Sequence, residues 1–380
     1  MRRPKLLFLV TEDSYFWSHR VPVARAALRD GYEVVVATHV RDYGDRIRDE
    51  GFRVIPMRLS RETQSPFQEV RALLEVRKVY RTEQPDLCHQ VALKPILYGS
   101  IALLGQKRLR VVNAFAGLGY LVASSSWKAR LLRIPIWNAF KFLLNRPSVH
   151  LLFQNQEDQN FILTKVKASP ERVSLIRGSG VDIQRFQPLP EPVGTPVVLL
   201  ASRMLWMKGI EEFVEAAKLL RGKGIHARFV LAGDTDPKSL SCITRQELLD
   251  WQASGAVEWW GHQPDIEHTF KQANIVCLPS RGGEGVPKAL LDAAACGRAL
   301  VATDVPGCRD VVRHGISGLL VPPRNASALA QAIEQLLKNP GMRREMASRA
   351  RTIVVGEFSD RVVMQQTLAL YHRLLNSKKP

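Results

Sequence analysis

The sequence predicts an α/β protein made of two doubly wound domains, each built on a mostly parallel sheet. Apolar runs typical of buried strands alternate with helical patterns up to residue 186, and the same alternation starts again after residue 194. The stretch between them, 187–194, holds three prolines and a glycine, as a connector does. A chain of 380 residues is also long enough for two domains that each bury a core.

The first half predicts one strand-rich domain, 1–186. Its expected strands are 5–11, 33–40, 52–59, 87–91, 111–115 and 149–153. Its expected helices include 20–30 and 66–82, while 127–146 reads as a helical segment that Pro135 divides.

The second half predicts another such domain, 187–358, and a C-terminal helix, 359–380, that packs back on the first domain. Its expected strands are 197–201, 228–232, 257–260, 275–278, 300–303 and 319–321. A helix is expected over 286–296, with Pro287 in its first turn and Gly297 at its end. Two such domains predict a cleft between their facing strand ends.

Composition excludes several classes of protein. The content of 46% hydrophobic and 24% charged residues is that of a globular protein, and no run of eighteen apolar residues predicts a membrane span. Five cysteines without a CxxC pair favour a reducing cytosol over disulfides or zinc. Neither half has a G-x-G-x-x-G in its first strand-to-helix turn, which argues against a dinucleotide-dependent dehydrogenase.

The net charge of +18 is concentrated in the first half, where 87–156 contains nine bases and no acid. Such a segment predicts an anionic partner: a lipid surface, a phosphorylated substrate or nucleic acid. No nucleic-acid-binding signature is present, and nucleic acid is not expected. Within 127–146, bases interleave with aromatic residues, as at a membrane interface, although a partly buried crossover helix is the alternative. The membrane-facing candidates are Trp127, Lys128, Arg130, Arg133 and Lys141.

The loop 281–288 carries the strongest indication of a binding site. Its glycines and Glu284 follow an apolar strand and precede a helix. Open α/β sheets bind ligands at this edge, and a helix N-terminus suits a phosphate. The alternative is a tight turn beside a surface ion pair between Lys288 and Asp292.

A second strand-to-helix loop adds two cations. Arg203 and Lys208 follow the predicted strand 197–201 and precede the next helix. Two cations in one loop predict a clamp for a diphosphate, and the alternative is a pair of solvated charges near a turn.

Motifs along the whole chain carry a family resemblance. They include Ser18-His-Arg-Val-Pro22, Gly117-Leu-Gly-Tyr120, Phe153-Gln-Asn155, Gly178-Ser-Gly-Val-Asp182, Lys208-Gly209, Leu231-Ala-Gly-Asp234, Thr303-Asp-Val-Pro-Gly307 and Gly318-Leu-Leu-Val-Pro322. Together with Glu284 and Asp292, they resemble retaining GT-B glycosyltransferases of family 4, also called glycosyl transferases group 1. The most similar branch builds capsule, O-antigen and lipid-linked glycans.

The resemblance implies a role for each candidate. Arg203 and Lys208 would neutralise the departing nucleoside diphosphate, so that neither a metal nor another cofactor is expected. Glu284 would contact hydroxyls of the transferred sugar, and Asp292 those of the ribose. Of the donor-binding candidates Gly283, Gly285 and Val286, the last two would offer N–H groups to phosphate.

The chain departs from the family pattern at three positions. Asp292 stands where the family usually has Glu, Ala116 where many relatives have His, and Gly283 where Arg is frequent. The candidates on the acceptor side or in the cleft are His19, Gly117 and Gly119. A structural hydrogen-bonding role is the alternative for His19.

The resulting expectation is a glycosyltransferase that moves a sugar from a nucleoside-diphosphate donor to a saccharide on polyprenyl diphosphate. The expected donor is a UDP-sugar. The enzyme would work as a peripheral protein on the cytoplasmic face of the inner membrane. Two alternatives remain open: a sugar-nucleotide epimerase of GT-B fold, and a catalytically silent membrane-associated partner of a polysaccharide assembly complex.

Overall fold

A computed structural model describes residues 2–60, 65–105, 109–117, 127–237, 239 and 241–377, with the backbone alone for 127–134. The chain forms two compact units, one of residues 1–180 together with 360–380 and one of residues 181–359. In the part of the chain that is described, no helix combines the length and apolar character needed to cross a bilayer.

The first unit is built on a seven-stranded parallel sheet. The strands are β1 (Lys5–Glu12), β2 (Glu33–His39), β3 (Arg53–Pro56), β4 (Leu87–Val91), β5 (Arg110–Phe115), β6 (Val149–Phe153) and β7 (Val173–Leu175). Their order across the sheet is β3-β2-β1-β4-β5-β6-β7. Strands β4 and β6 are buried along their whole length, because a parallel sheet is covered on both faces.

Helices cover both faces of this sheet. They are α1 (Asp13–His19), α2 (Val21–Arg29), α3 (Gly44–Asp49), α4 (Pro66–Glu83), α5 (Leu93–Ala102), α6 (Trp127–Leu144), α7 (Gln156–Val166) and, at the C-terminus, α15 (Asp360–Asn376). Helices α4 to α7 pack on the face that presents Leu7 and Leu9, while α2 and α15 pack on the face that presents Phe8. On that second face the hydroxyl of Tyr371 lies 2.5 Å from Nδ1 of His89, which joins α15 to β4.

The second unit is built on a six-stranded parallel sheet. The strands are β8 (Val197–Ala201), β9 (Arg228–Ala232), β10 (Glu258–Gly261), β11 (Ile275–Leu278), β12 (Ala299–Thr303) and β13 (Leu319–Val321), in the order β10-β9-β8-β11-β12-β13. Its helices are α8 (Ile210–Gly222), α9 (Arg245–Ala253), α10 (Ile266–Lys271), α11 (Lys288–Ala295), α12 (Cys308–Val311), α13 (Ala326–Lys338) and α14 (Pro340–Glu357). The two parallel sheets confirm the predicted fold class.

The division between the units lies six residues before the predicted one, at 180/181. Two arginines bind the proline-rich connector to the second unit. The buried guanidinium of Arg298 donates to the carbonyl oxygens of Leu189 and Pro190, and Arg343 pairs with Glu191 at 2.7 Å. The connector therefore folds as part of the second unit.

The segment after β1 is a helix, although the sequence predicted only a strand-to-helix turn between the expected strand 5–11 and the expected helix 20–30. The buried carboxylate of Asp13 accepts backbone N–H groups of Arg41 and Tyr43 at 2.7 and 2.9 Å, which fixes the start of α1 against the segment after β2. Phe16 then enters the core edge-on to Phe8. A local sequence pattern does not reveal these contacts, because they depend on the tertiary structure.

The prediction that Pro135 divides its helical segment is wrong. Helix α6 runs unbroken from Trp127 to Leu144 with Pro135 inside it. Proline removes one helical hydrogen bond, but Ile136, Trp137 and Phe140 pack against the core directly after it. Tertiary packing thus outweighs the local preference.

Candidate active site

The second sheet has a topological switch point between β8 and β11. These strands are neighbours, although β9 and β10 lie between them in the chain. At such a point the chain leaves neighbouring strands toward opposite sides, which opens a crevice at their carboxyl ends. The loops that follow the two strands carry the predicted residues Arg203, Lys208 and Glu284.

Lys208 and Glu284 meet at this switch point. The Nζ atom of Lys208 lies 2.6 Å from Oε1 of Glu284, and the two side chains are 19% and 12% exposed. The hydroxyl of Ser280 donates to the same carboxylate oxygen at 2.9 Å. Glu284 is thus held by a cation and a hydroxyl at the edge where α/β sheets bind ligands.

The two loops approach each other closely because of a glycine. Gly209 has φ +75°, and a Cβ there would lie 1.9 Å from the carbonyl oxygen of Pro279. The N–H of Arg281 donates to the carbonyl oxygen of Met207 at 2.8 Å across the same gap. These backbone contacts set the position of Lys208 relative to Glu284.

A third loop, after β12, packs against the backbone of the Glu284 loop. Thr303 donates through its hydroxyl to the carbonyl oxygen of buried Ser280 at 2.6 Å. Gly307, with φ +76°, approaches so closely that a Cβ would lie 1.4 Å from the carbonyl oxygen of Gly285. The sequence motif 303–307 gave no indication of this role, and Ser280 was not predicted as a site residue.

Arg203 has a different partner. Its Nη1 lies 2.6 Å from Oδ2 of Asp236, and the two side chains are 50% and 31% exposed. Asp236 follows β9, the neighbour of β8, and was not predicted. Both predicted cations of the β8 loop are therefore paired with carboxylates, but with two different ones.

The predicted helix after Glu284 begins two residues late. Helix α11 starts at Lys288, and Pro287 is its N-cap in an extended conformation rather than a residue of the first turn. Val286 is buried in the core, and Gly283 has φ +78°. Gly285 is fixed by its contact with Gly307. At the other end the helix closes as predicted at a left-handed Gly297.

Asp292 lies on α11 and pairs with Lys288. The distance between Nζ and Oδ1 is 2.8 Å, and the side chain of Asp292 is only 7% exposed. This pair is therefore largely buried, unlike the surface pair considered from the sequence. Burial raises the pKa of Asp292, while Lys288 acts in the opposite direction.

Two of the first-unit candidates, His19 and Gly117, lie in the segments that follow β1 and β5. His19 is the last residue of α1, where its ring stacks on Tyr15 at 4.2 Å and its Nδ1 lies 2.7 Å from the hydroxyl of Ser18. Gly117 follows β5 with φ +94°. Gly119 lies outside the described residues.

Helix α6 carries the membrane-facing candidates. Lys141 is exposed on it, whereas the side chains of Trp127, Lys128, Arg130 and Arg133 lie outside the described part. Across the residues whose positions are given, no three His, Cys, Asp or Glu side chains form a group that could hold a metal ion.

Comparison with known families matches both halves of the chain. Residues 182–353 match the model for glycosyl transferases group 1, and residues 5–155 match the model for glycosyl transferase 4-like domains. These two stretches together cover most of the chain.

Individual relatives match over nearly the full length. The chain is 28% identical to the N,N'-diacetylbacillosaminyl-diphospho-undecaprenol alpha-1,3-N-acetylgalactosaminyltransferase of Campylobacter jejuni, over 97% of this chain and 99% of that protein. It is 20% identical to the capsular polysaccharide biosynthesis glycosyltransferase CapM of Staphylococcus aureus, over 100% of both chains. Among solved structures, HepE of Anabaena in complex with UDP superposes with a TM-score of 0.76 at 19% identity, over 97% of this chain and 100% of that chain.

Proposed function

The chain belongs to the glycosyl transferases group 1 of GT-B fold, and we propose that it moves a sugar from a UDP-linked donor to a saccharide on polyprenyl diphosphate. The reaction proceeds with retention of the anomeric configuration. The product enters a bacterial surface polysaccharide or a lipid-linked glycan.

The observation that carries this proposal is the contact between Lys208 and Glu284 at the switch point of the second sheet. Negative charge develops on the diphosphate as its bond to the sugar breaks, and a cation held in a partly buried site stabilises that charge. The ammonium of Lys208 supplies such a cation. The carboxylate of Glu284, beside it, accepts hydrogen bonds from hydroxyls of the transferred sugar.

Arg203 acts with Lys208 on the donor diphosphate. Arg203 lies on the same loop and is exposed, and its pairing with half-buried Asp236 costs little to break, because ion pairs near the surface contribute at most about 1 kcal/mol. The N–H groups of Gly285 and Val286, just before α11, bind phosphate, and Asp292 on that helix binds the ribose. The two cations replace a divalent metal in this proposal.

The transfer itself requires no nucleophile from the protein. The bond between the anomeric carbon and the diphosphate oxygen breaks, and the acceptor hydroxyl oxygen bonds to that carbon on the same face. The departing diphosphate takes the hydroxyl proton. Rigid placement of the donor, rather than a covalent intermediate, lowers the barrier.

The choice of substrates rests on relatives. The Campylobacter jejuni enzyme is named for an acceptor on undecaprenyl diphosphate, and HepE was solved with UDP. The basic, acid-free segment 87–156 suits an anionic lipid surface and the acceptor diphosphate. We assign contact with the acceptor to His19, Gly117 and Gly119, and the protein works at the cytoplasmic face of the inner membrane.

The test is a donor screen. The protein is incubated with radiolabelled UDP-N-acetylgalactosamine, UDP-N-acetylglucosamine, UDP-glucose and GDP-mannose, with a membrane extract as acceptor and EDTA in parallel samples. We expect label in the lipid fraction from a UDP-sugar, with and without EDTA. Product from GDP-mannose alone would overturn the choice of UDP, and inhibition by EDTA would overturn metal independence.

Other outcomes identify the alternatives. An altered sugar on the recovered nucleotide would indicate an epimerase. No turnover with any donor, in a protein that still binds UDP, would favour a silent partner. Proton NMR of the purified product distinguishes retention from inversion.

A further inference from the structure

Helix α4 has one face in the core of the first unit and an opposite face that is exposed and apolar. Ala72, Val76 and Val79 are buried beneath it. On the outer face, Phe67 is 64%, Val70 54% and Leu74 57% exposed. Exposed large apolar residues occur singly on most surfaces, but three on adjacent turns form a patch that marks an interaction site.

The same outer face is basic. At 100° per residue, the three apolar residues and four exposed bases fall within an arc of about 120°. The bases are Arg71, Arg77, Lys78 and Arg81. We call these seven residues the α4 face.

No acid neutralises the α4 face among the residues that the structure describes. The two glutamates that flank it are engaged at the sides of the helix: Glu69 binds Lys94 and Tyr98, and Glu75 accepts the backbone N–H of Arg58. Arg71 lies 4.2 Å from the ring centroid of Phe67. The positive charge of this face is therefore available to a partner.

The face is formed in advance rather than on binding. Ser65 and Gln68 make a capping box at the first turn, with the backbone N–H of Ser65 donating to the Gln68 side chain at 3.0 Å. The buried side of the helix holds its rotation. Phe67 thus lies in the first turn of a helix whose start is well defined.

A second helix on the same side of the sheet has a similar surface. Helix α6 packs on the same core cluster as α4, with α5 in contact with both. It presents Phe142, 67% exposed, next to exposed Lys141. Aromatic and aliphatic side chains interleaved with bases thus recur along this layer of helices.

We propose that the α4 face docks the protein on an anionic lipid bilayer. Phe67, Val70 and Leu74 enter the boundary between headgroups and acyl chains, and the bases contact the phosphates of the headgroups. The charge identifies an anionic partner, while exposed Val70 and Leu74 offer nothing to a nucleic acid. The inference deepens the proposed function, because it places the protein where a polyprenyl-linked acceptor resides, but the docking itself requires no turnover.

The test is sedimentation of the full chain with vesicles of phosphatidylcholine alone and of phosphatidylcholine with 30% phosphatidylglycerol. We expect binding to the anionic vesicles that falls as salt is raised. Each base at an anionic surface strengthens binding by roughly fivefold. The combined reversal Arg77→Glu, Lys78→Glu and Arg81→Glu should therefore weaken binding at least tenfold.

Two further variants sharpen the result. The control reverses three exposed bases of the second unit, Arg221→Glu, Arg324→Glu and Arg344→Glu, which changes the net charge equally and should leave most of the binding. The combined change Phe67→Ser, Val70→Ser and Leu74→Ser should also weaken binding, and the binding that remains should be lost at high salt.

Defined results would overturn the proposal. Equal losses in the α4 and control reversals would mean that net charge alone drives binding. Equal binding to both kinds of vesicle would exclude headgroup charge. The parent protein could also prove to be a dimer that the serine substitutions convert to a monomer without weakening vesicle binding. In that case the α4 face is a dimer interface and not a membrane-docking surface.

UDP binding, measured in every variant, separates this proposal from the proposed function. Loss of vesicle binding with unchanged UDP affinity supports docking whatever the acceptor is. If the protein binds no UDP but the α4 substitutions still weaken vesicle binding, only the proposed function is contradicted.

Discussion

The ammonium of Lys208 and the carboxylate of Glu284 lie 2.6 Å apart, although 76 positions separate them in the chain. They meet because β8 and β11 are neighbours and because Gly209 lets the two loops approach. Both side chains are less than one fifth exposed. Removing either charge leaves the other partly buried and unpaired, which gives substitutions here a larger effect than at a surface ion pair.

Glu284→Gln tests the role of the carboxylate. The amide keeps the size of the side chain and can still accept from Ser280, but it loses the charge that pairs with Lys208. We expect kcat/KM for transfer to fall by roughly 10²–10³-fold, the range found when one preorganised polar group is removed from a site of developing charge. UDP affinity should change less than tenfold, since Glu284 is proposed to contact the sugar. Glu345→Gln, at an exposed pair with Arg349, is the control, and equal turnover in both variants would refute the assignment.

The two cations should differ in their contribution to donor binding. Lys208 is 19% exposed and Arg203 50% exposed, and charges interact more strongly where less water surrounds them. We expect Lys208→Gln to weaken UDP binding by about 10–100-fold and Arg203→Gln by less than tenfold, measured by calorimetry. Lys218→Gln, at an exposed pair with Glu215, should have no effect. The reverse order would mean that Arg203, not Lys208, is the main diphosphate ligand.

The sequence placed the candidate residues after the carboxyl ends of strands, because that prediction needs only local patterns. A buried apolar run followed by a loop and a helix locates the carboxyl end of a strand, and Arg203, Lys208 and Glu284 all follow such runs. Which strand ends are neighbours depends on strand order, which local periodicity does not contain. The contact between Lys208 and Glu284 therefore became visible only in the sheet.

The residues whose roles were not predicted from the sequence contact partners that are far away in the chain. Asp236 pairs with Arg203, Thr303 supports Ser280, and Arg298 holds the connector through backbone carbonyls. None of these partners lies within a turn or a helical repeat of the other. Single side chains at such positions have no local pattern, so their roles follow only from the tertiary structure.

Gly307→Ala tests whether the loop after β12 supports the Glu284 loop. A Cβ at residue 307 would lie 1.4 Å from the carbonyl oxygen of Gly285, so the backbone must shift. Gly315→Ala is a matched control, because Gly315 has a similar φ of +74° but nothing within 4 Å of its Cβ position. Both variants bear the strain of a positive φ, and we expect Gly307→Ala to lose roughly 1–3 kcal/mol more in the free energy of unfolding. It should also weaken UDP binding, and equal behaviour of the two variants would contradict the supporting role.

Asp292→Asn tests the buried carboxyl on α11 through the pH dependence of stability. Burial raises the pKa of Asp292 above its ordinary value of 3.8, so the native state holds this proton more tightly than the unfolded chain does. Between pH 3.8 and the raised pKa, the unfolded chain has released this proton while the native protein still holds it. The contribution of Asp292 to stability therefore falls as pH rises through this window. Asparagine does not titrate, so the free energy of unfolding of the wild type minus that of the variant should decrease across this window and level off above it. Urea unfolding of both proteins between pH 4 and 7 measures this difference. A difference that increases with pH would mean that the attraction of Lys288 outweighs burial and that Asp292 is a stabilised anion.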